Sequence, residues 1–162
     1  MPIPIRAVVI TVSDACSKGE REDTSGKLLV ELLGEINAKI IETQIVPDDL
    51  DPLRRILQSL SYRGDINLIV TTGGTGFGPR DNTPEATLKA IDRAAPGLAE
   101  AMRNETLKNT PMAMISRGVS GICGGTLIVN LPGSPKAVKE SFDVIKPVLN
   151  HVVNLLAGKT EH

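Results

Sequence analysis

Three stretches constrain this chain more than anything else in it. Residues 5–12 (IRAVVITV), 66–72 (INLIVTT) and 126–131 (TLIVNL) are mainly apolar runs rich in β-branched residues. A strand with one wet face alternates apolar and polar side chains. An apolar run without alternation suits a strand covered on both faces. Residues 38–46 (AKIIETQIV) read as a further strand, and 112–116 (MAMIS) as a short one. Between these runs lie helical signals. Thr24 and Ser25 offer N-caps for a helix through about Leu33, stopped by Gly34. Asp51-Pro52 starts a second, in which Leu53, Ile56, Leu57 and Leu60 form one apolar stripe. Thr83-Pro84-Glu85 starts a third, running to about Arg93, and a fourth covers about 98–108. The last begins at Gly133-Ser134-Pro135 and runs to about Leu156, with Pro147 expected to break or kink it. Residues 15–23 read as a polar loop. Alternating strands and helices imply an α/β fold: a three-layer α/β/α arrangement around a mainly parallel sheet. The 162 residues suit one domain, 1–162.

Composition excludes several classes of partner. The chain carries 18 Lys+Arg against 19 Asp+Glu, a net charge of −1, so no basic nucleic-acid footprint is expected. One Tyr, two Phe and no Trp cannot supply a row of base-stacking platforms. No run approaches the ~18 apolar residues of a membrane span. The start, MPIPIRAVVITVSD, reads as a first strand and not as a signal peptide. Cys16 and Cys123 form no CxxC pair and read as reduced thiols, which points to the cytoplasm. His151 and His162 have no partner pattern that would make either catalytic.

In an open α/β sheet, ligands bind beyond the C-terminal ends of the strands. Five strand ends in this reading lead into polar or glycine residues. They are Ser13-Asp14, Pro47-Asp48-Asp49, the run from Gly73 to Pro84, Ser116-Arg117-Gly118, and Pro132-Gly133-Ser134. Nine of the 15 glycines (73, 74, 76, 78, 118, 121, 124, 125 and 133) fall in two regions after strands. Such loops can be tight connections only. They can also turn backbone N–H groups toward an anion, helped by the helix starts that follow. Two loops, Arg80 and several hydroxyls favour a phosphate cradle. It is neither a P-loop, since Pro79 and Arg80 stand where Lys and Ser/Thr belong, nor a Gly-x-Gly-x-x-Gly turn.

Asp14, Asp48, Asp49 and Asp81 flank these loops. Carboxylates together with phosphate oxygens are what a nucleotide-bound Mg²⁺ needs. Each can equally be a turn or ion-pair residue. No Gly-x-Ser-x-Gly or supported Cys–His pair offers a covalent nucleophile. This favours chemistry by positioning and charge neutralisation, as in phosphoryl-type transfer.

The run TTGGTGFGPRDNTPEAT (71–87) resembles the signature of the molybdenum-cofactor-biosynthesis family, which includes MogA, MoaB and the G domain of gephyrin-type proteins. TVSD (11–14), DTSG (23–26), IVPDD (45–49), PGLAEAMR (96–103), MISR (114–117) and LIVNLPGSPKAV (127–138) resemble it too, in the same order. The likeness covers about residues 5–157. It implies a MogA/MoaB-like fold and a molybdopterin adenylyltransferase, a nucleotidyltransferase using ATP and Mg²⁺. It implies Asp48 and Asp81 as catalytic and Mg²⁺-handling residues. It further implies Gly73, Gly74, Thr75 and Gly76 around ligand phosphates, where the cradle reading already places Arg80, with Ser13 and Asp14 on the nucleotide side, and Ser116, Gly133 and Ser134 near the pterin. A homotrimer and hand-over to a molybdenum-insertion protein are implied as well. Two positions depart from the pattern. Asn82 replaces the usual Val, and reads as a capping box with Glu85. Cys123 stands where the pattern carries Arg, removing a positive charge near the ligand. Two alternatives stay open: a pterin-binding protein of the MoaB type without strong catalysis, and a nucleotide-hydrolysing relative.

Overall fold

A computed structural model describes residues 1–160. Six strands form one sheet in the order β2-β1-β3-β6-β5-β4. They are β1 (Arg6–Val12), β2 (Lys39–Val46), β3 (Leu68–Thr72), β4 (Arg93–Ala94), β5 (Ser120–Cys123) and β6 (Thr126–Leu131). Strands β2, β1, β3 and β6 are parallel. The β5–β6 and β4–β5 pairs are antiparallel. The helices are α1 (Asp14–Ser17), α2 (Thr24–Glu35), α3 (Leu50–Ser61), α4 (Thr83–Ala90), α5 (Pro96–Leu107) and α6 (Pro135–Leu156).

The apolar runs are strands buried on both faces, for the reason their composition gave. In β1, Ala7 and Val9 face α2 and α6, while Val8, Ile10 and Val12 face α3 and α4. Leu68 and Val70 of β3 join the first core and Ile69 the second. Phe142 of α6 fills the first core completely buried, beside Leu127 and Val129. Leu53, Leu57 and Leu60 carry α3 into the second. The result is the expected three-layer α/β/α arrangement. Among the described residues, no helix is long and apolar enough to cross a membrane.

Several expectations are corrected. MAMIS is not a strand: Pro111–Ile115 form a 3₁₀ turn, with the Thr110 hydroxyl accepting the Met112 N–H at 3.2 Å. The strand beside β6 is instead β5, whose glycine disguises it. A Cβ at Gly121 would collide with the Ile91 side chain. The helix from Thr83 ends at Ala90, because Arg93–Ala94 pair with β5. Residues 14–17 are a short helix capped by Ser13. The cap of α2 is Asp23, whose Oδ1 accepts the Gly26 N–H at 2.9 Å. Gly34 does not stop α2, which continues to Glu35 and is followed by Asn37 at φ 60°. Helix α3 starts one residue before Asp51, with Asp49 at its N-cap. Helix α6 passes through Pro147 as one element of 22 residues. Both cysteines are free. His151 is exposed on α6, and His162 lies outside the described residues.

Candidate functional site

The parallel strands end together: Thr11 is level with Thr72, and Thr72 with Leu131. From β1 the chain crosses to β2 on one side, then returns past β1 to β3 on the other. The switch point therefore lies between β1 and β3, where the doubly wound sheet leaves a crevice. Ser13-Asp14 and Gly73-Gly74 leave the sheet on either side of it.

Tertiary hydrogen bonds tie the loops above this edge together. Gly73 N–H donates to Leu131 O at 3.2 Å. The Thr72 hydroxyl donates to Pro132 O, and the Ser25 hydroxyl to Gly133 O, each at 2.6 Å. Gly73 and Gly74 sit at φ 98° and 68°, where an L side chain is strained. A Cβ at Gly73 would run into Val12 O, and one at Gly74 into the Asp48 carboxylate and Thr83 Oγ1. The glycines are thus where backbone must lie against backbone or against a carboxylate.

Two clefts open above the edge. The first, about 520 Å³, is lined by Thr75, Gly76, Ser116, Gly118, Asn130 and Lys136, with Ala99, Met102, Arg103 and Glu140 among others. The second, about 600 Å³, lies over the switch point and is lined by Thr11, Ser13, Asp14, Thr24, Ser25, Asp48, Gly73 and Arg80, among others. Gly74, Asp81, Gly133 and Ser134 line both. These four are the wall where the clefts meet. The N-terminus of α6, capped by Ser134 on Ala137 N–H at 3.3 Å, opens at this wall.

Asp48 is 5% exposed. Its Oδ1 accepts the Asn82 N–H at 3.0 Å, and its own N–H donates to Asp14 Oδ1 at 3.0 Å. Burial pushes its carboxyl up to about 6; the Asn82 N–H opposes this, and the charges of Asp81 and Asp14 add to it. Beside it, Thr83 Oγ1 is, among the described residues, the one buried side-chain polar atom without a hydrogen-bond partner. Asp81 folds back on its loop: Gly78 N–H donates to Asp81 Oδ2 at 2.8 Å. Arg80 does not point free into the cleft. Its Nε and Nη2 donate to Asp14 at 2.9 Å, and Nη2 also to Asp49 Oδ1 at 3.0 Å. The Arg80 bonds and the Asp48 N–H hold the Asp14 carboxyl down at about 2, and Arg80 is itself held further on its charged side.

The structure brings all twelve sequence-predicted site residues to these clefts, with three changes in detail. The Ser13 hydroxyl is occupied in capping α1, accepting the Cys16 N–H at 3.1 Å. The capping box is absent. The Asn82 amide donates to Asp48 O at 3.0 Å and Arg80 O at 3.2 Å, and Glu85 pairs with Arg117. Gly121, Gly124 and Gly125 do not belong to the edge: Gly121 lies in β5, and Gly124-Gly125 turn at the opposite end of β6, Gly124 against Tyr62. Cys123 is fully buried there in the second core. The residue reading passed over Asn130, although a buried amide in an apolar strand was its signal. Asn130 Nδ2 donates to Thr71 and Thr87 hydroxyls, both at 3.0 Å. Arg103 was also missed; it donates to Gly118 O at 2.7 Å, and nothing local in the sequence marks it.

Comparisons with known proteins agree with this geometry. The family model described as "Probable molybdopterin binding domain" matches residues 8–151. The Drosophila melanogaster "Molybdenum cofactor synthesis protein cinnamon" is 46% identical over 91% of this chain, which spans only 25% of that protein's length. A Helicobacter pylori "Molybdopterin adenylyltransferase" is 41% identical over 93% of this chain and 86% of its own. The crystal structure of the molybdopterin biosynthesis enzyme MoaB from Thermus thermophilus superposes with a TM-score of 0.90 at 46% identity, covering 96% of this chain and 98% of that one. On the extent of these matches, the chain belongs to the molybdenum-cofactor-biosynthesis family of molybdopterin-binding domains.

Proposed function

We propose that the protein is a molybdopterin adenylyltransferase that joins AMP from ATP to molybdopterin and releases pyrophosphate. The observation that carries this reading is the pair of clefts meeting at Gly74, Asp81, Gly133 and Ser134. A two-substrate transfer needs two pockets whose reacting ends converge. The cleft holding Ser116 and apolar Met102 and Ala99 suits the pterin. The cleft over the switch point, with Ser13, Asp14 and Arg80, suits ATP. In the reaction, a phosphate oxygen of molybdopterin attacks the α-phosphorus of ATP in line. The P–O bond to the β-phosphate breaks, and pyrophosphate departs. Catalysis comes from holding both anions in line and offsetting their charge. Gly74–Gly76 amides and the start of α6 bear on the phosphates, with the Arg80 guanidinium held beside them by Asp14 and Asp49.

Mg²⁺ fits the residues present. Asp81 at the shared wall and Asp48 in the second cleft are hard oxygen donors, and no group of three or more His, Cys, Asp or Glu forms a closed metal cage among the described residues. Mg²⁺ is commonly held by one or two carboxylates with substrate phosphates and water, and supplies neutralisation of the phosphate charge. Asp48 and Asp81 would hold it. The family resemblance further supports a cytoplasmic homotrimer that hands its product to a molybdenum-insertion protein. Light scattering tests the trimer, expected at three times the 17.2 kDa chain.

The deciding experiment incubates purified protein with molybdopterin and Mg-ATP and measures adenylyl-molybdopterin. Product is expected from wild type, with loss of turnover and retained pterin binding in Asp81→Asn. Folded, pterin-bound protein that forms no product rejects the transferase reading and leaves a pterin carrier.

A further inference from the structure

Besides the bonds of Arg80 to Asp14 and Asp49 and of Asn82 to Asp48, the glycine loop that carries Asp81 is held at both ends by one side chain from outside it. Arg117 Nε donates to Gly76 O, and Nη2 to Asp81 O, both at 2.7 Å. Its backbone N–H donates to Thr75 O at 2.8 Å. Nη1 completes an ion pair with Glu85 on α4. One guanidinium therefore ties both ends of segment 76–81 and anchors them to a helix.

Inside that segment the Asp81 carboxylate has little freedom. Its Oδ2 accepts the Gly78 N–H at 2.8 Å, and its N–H donates to Gly78 O at 3.0 Å. A Cβ at Gly76 or Gly78 would come within 2.9 Å of Oδ2. The carboxylate is oriented by the loop, and Gly76 and Gly78 give the backbone beside it little stiffness of its own. Arg117 lines neither cleft.

We propose that Arg117 is a positioning residue for the transfer, whose guanidinium closes loop 76–81 and thereby fixes the Asp81 carboxylate at the wall between the clefts. The planar fork is what the task requires. Two carbonyls and a carboxylate are met at once by fixed donors, which the single ammonium of lysine does not reproduce. The Arg117–Glu85 pair alone explains little, since the two side chains are 33% and 41% exposed and such pairs contribute little. The kinetic part of this inference rests on the proposed adenylyl transfer; the structural part does not.

The test compares wild type, Arg117→Lys and Glu85→Gln by hydrogen exchange over residues 75–82 and by steady-state kinetics. In Arg117→Lys, loop exchange is expected to speed by about tenfold while α4 and the sheet keep wild-type protection. Its kcat is expected to fall about ten- to a hundredfold, with KM for both substrates within about twofold. Glu85→Gln keeps the two carbonyl bonds, and its kcat is expected within about threefold of wild type. Wild-type loop exchange and kcat in Arg117→Lys would overturn the proposal. So would a loss in Glu85→Gln equal to that in Arg117→Lys, which would assign the effect to the ion pair. If wild type itself makes no product, the transferase reading fails and the exchange comparison alone decides the clamp.

Discussion

Asp48 is the buried carboxylate around which the glycine loop is built, and its environment has a consequence for stability. Its folded value of about 6 lies above the ordinary 3.8. Between those values the native state holds the proton more tightly than the unfolded chain, so stability is lost as pH rises through the window. Asp48→Asn is therefore expected to raise stability near pH 7.5 by on the order of 1–3 kcal/mol, while abolishing turnover. Urea unfolding checks this, because the gain should vanish at about pH 2.5, where Asp48 is protonated in both states. An equal gain at both pH values would show that burial of the charge is not the cause. Asp14 behaves oppositely. Its contribution is present above 3.8 and fades as pH falls through about 2. Gly74→Ala makes a second prediction. At φ 68°, with a Cβ against Asp48 and Thr83, it should cost on the order of 1–3 kcal/mol and weaken nucleotide binding, read by melting and calorimetry. Position after strands marked Asp14, Asp48, Asp49, Asp81 and the glycines alike, and only the family resemblance singled out Asp48 and Asp81. Arg117 followed the named Ser116 but carried no local mark of its role, since its partners lie 32 to 41 positions away.

At the scale of elements, α6 shows how context overrides a local rule. Pro147 lies inside it, exposed, yet the helix continues because Phe142, Ile145, Leu149 and Val153 pack on one core. The missing N–H leaves Asp143 O without a helix donor. Pro147→Ala should therefore stabilise the protein by about 1–2 kcal/mol, the helix gain exceeding the entropy that proline removes from the unfolded chain. A lowered melting temperature would count against this account. Strands β1, β3 and β6 were legible because burial on both faces writes itself as an apolar run, and the edge strand β2 because its β-branched residues mark it although it is mostly not buried. MAMIS misled for the same reason: its Met112, Met114 and Ile115 are apolar but exposed on a 3₁₀ turn. Strands β4 and β5 were not legible, since strands of two and four residues are too short to carry a periodic signal. The cap of α2 was misassigned because Ser25 has another use, its hydroxyl donating to Gly133 O.

For the whole molecule, one sheet separates two cores and aligns five loops at one edge. Phe142 is completely buried against strands and helices of the first core. Phe142→Ala is expected to cost about 3–5 kcal/mol, measured by denaturant midpoint at unchanged slope. A loss below about 1 kcal/mol would mean the core collapses around the gap. The sequence by itself determined the α/β class, the parallel core strands, the edge that carries the chemistry and the kind of residues on it. These follow from short-range facts: apolar runs seek burial, and glycine, proline and aspartate mark the turns that end them. Tertiary structure alone decided the sheet order, the antiparallel edge, the meeting of two clefts at Gly74, Asp81, Gly133 and Ser134, and the pairing of Arg80 with Asp14. Those depend on contacts between residues dozens of positions apart, whose geometry is set only when both cores close.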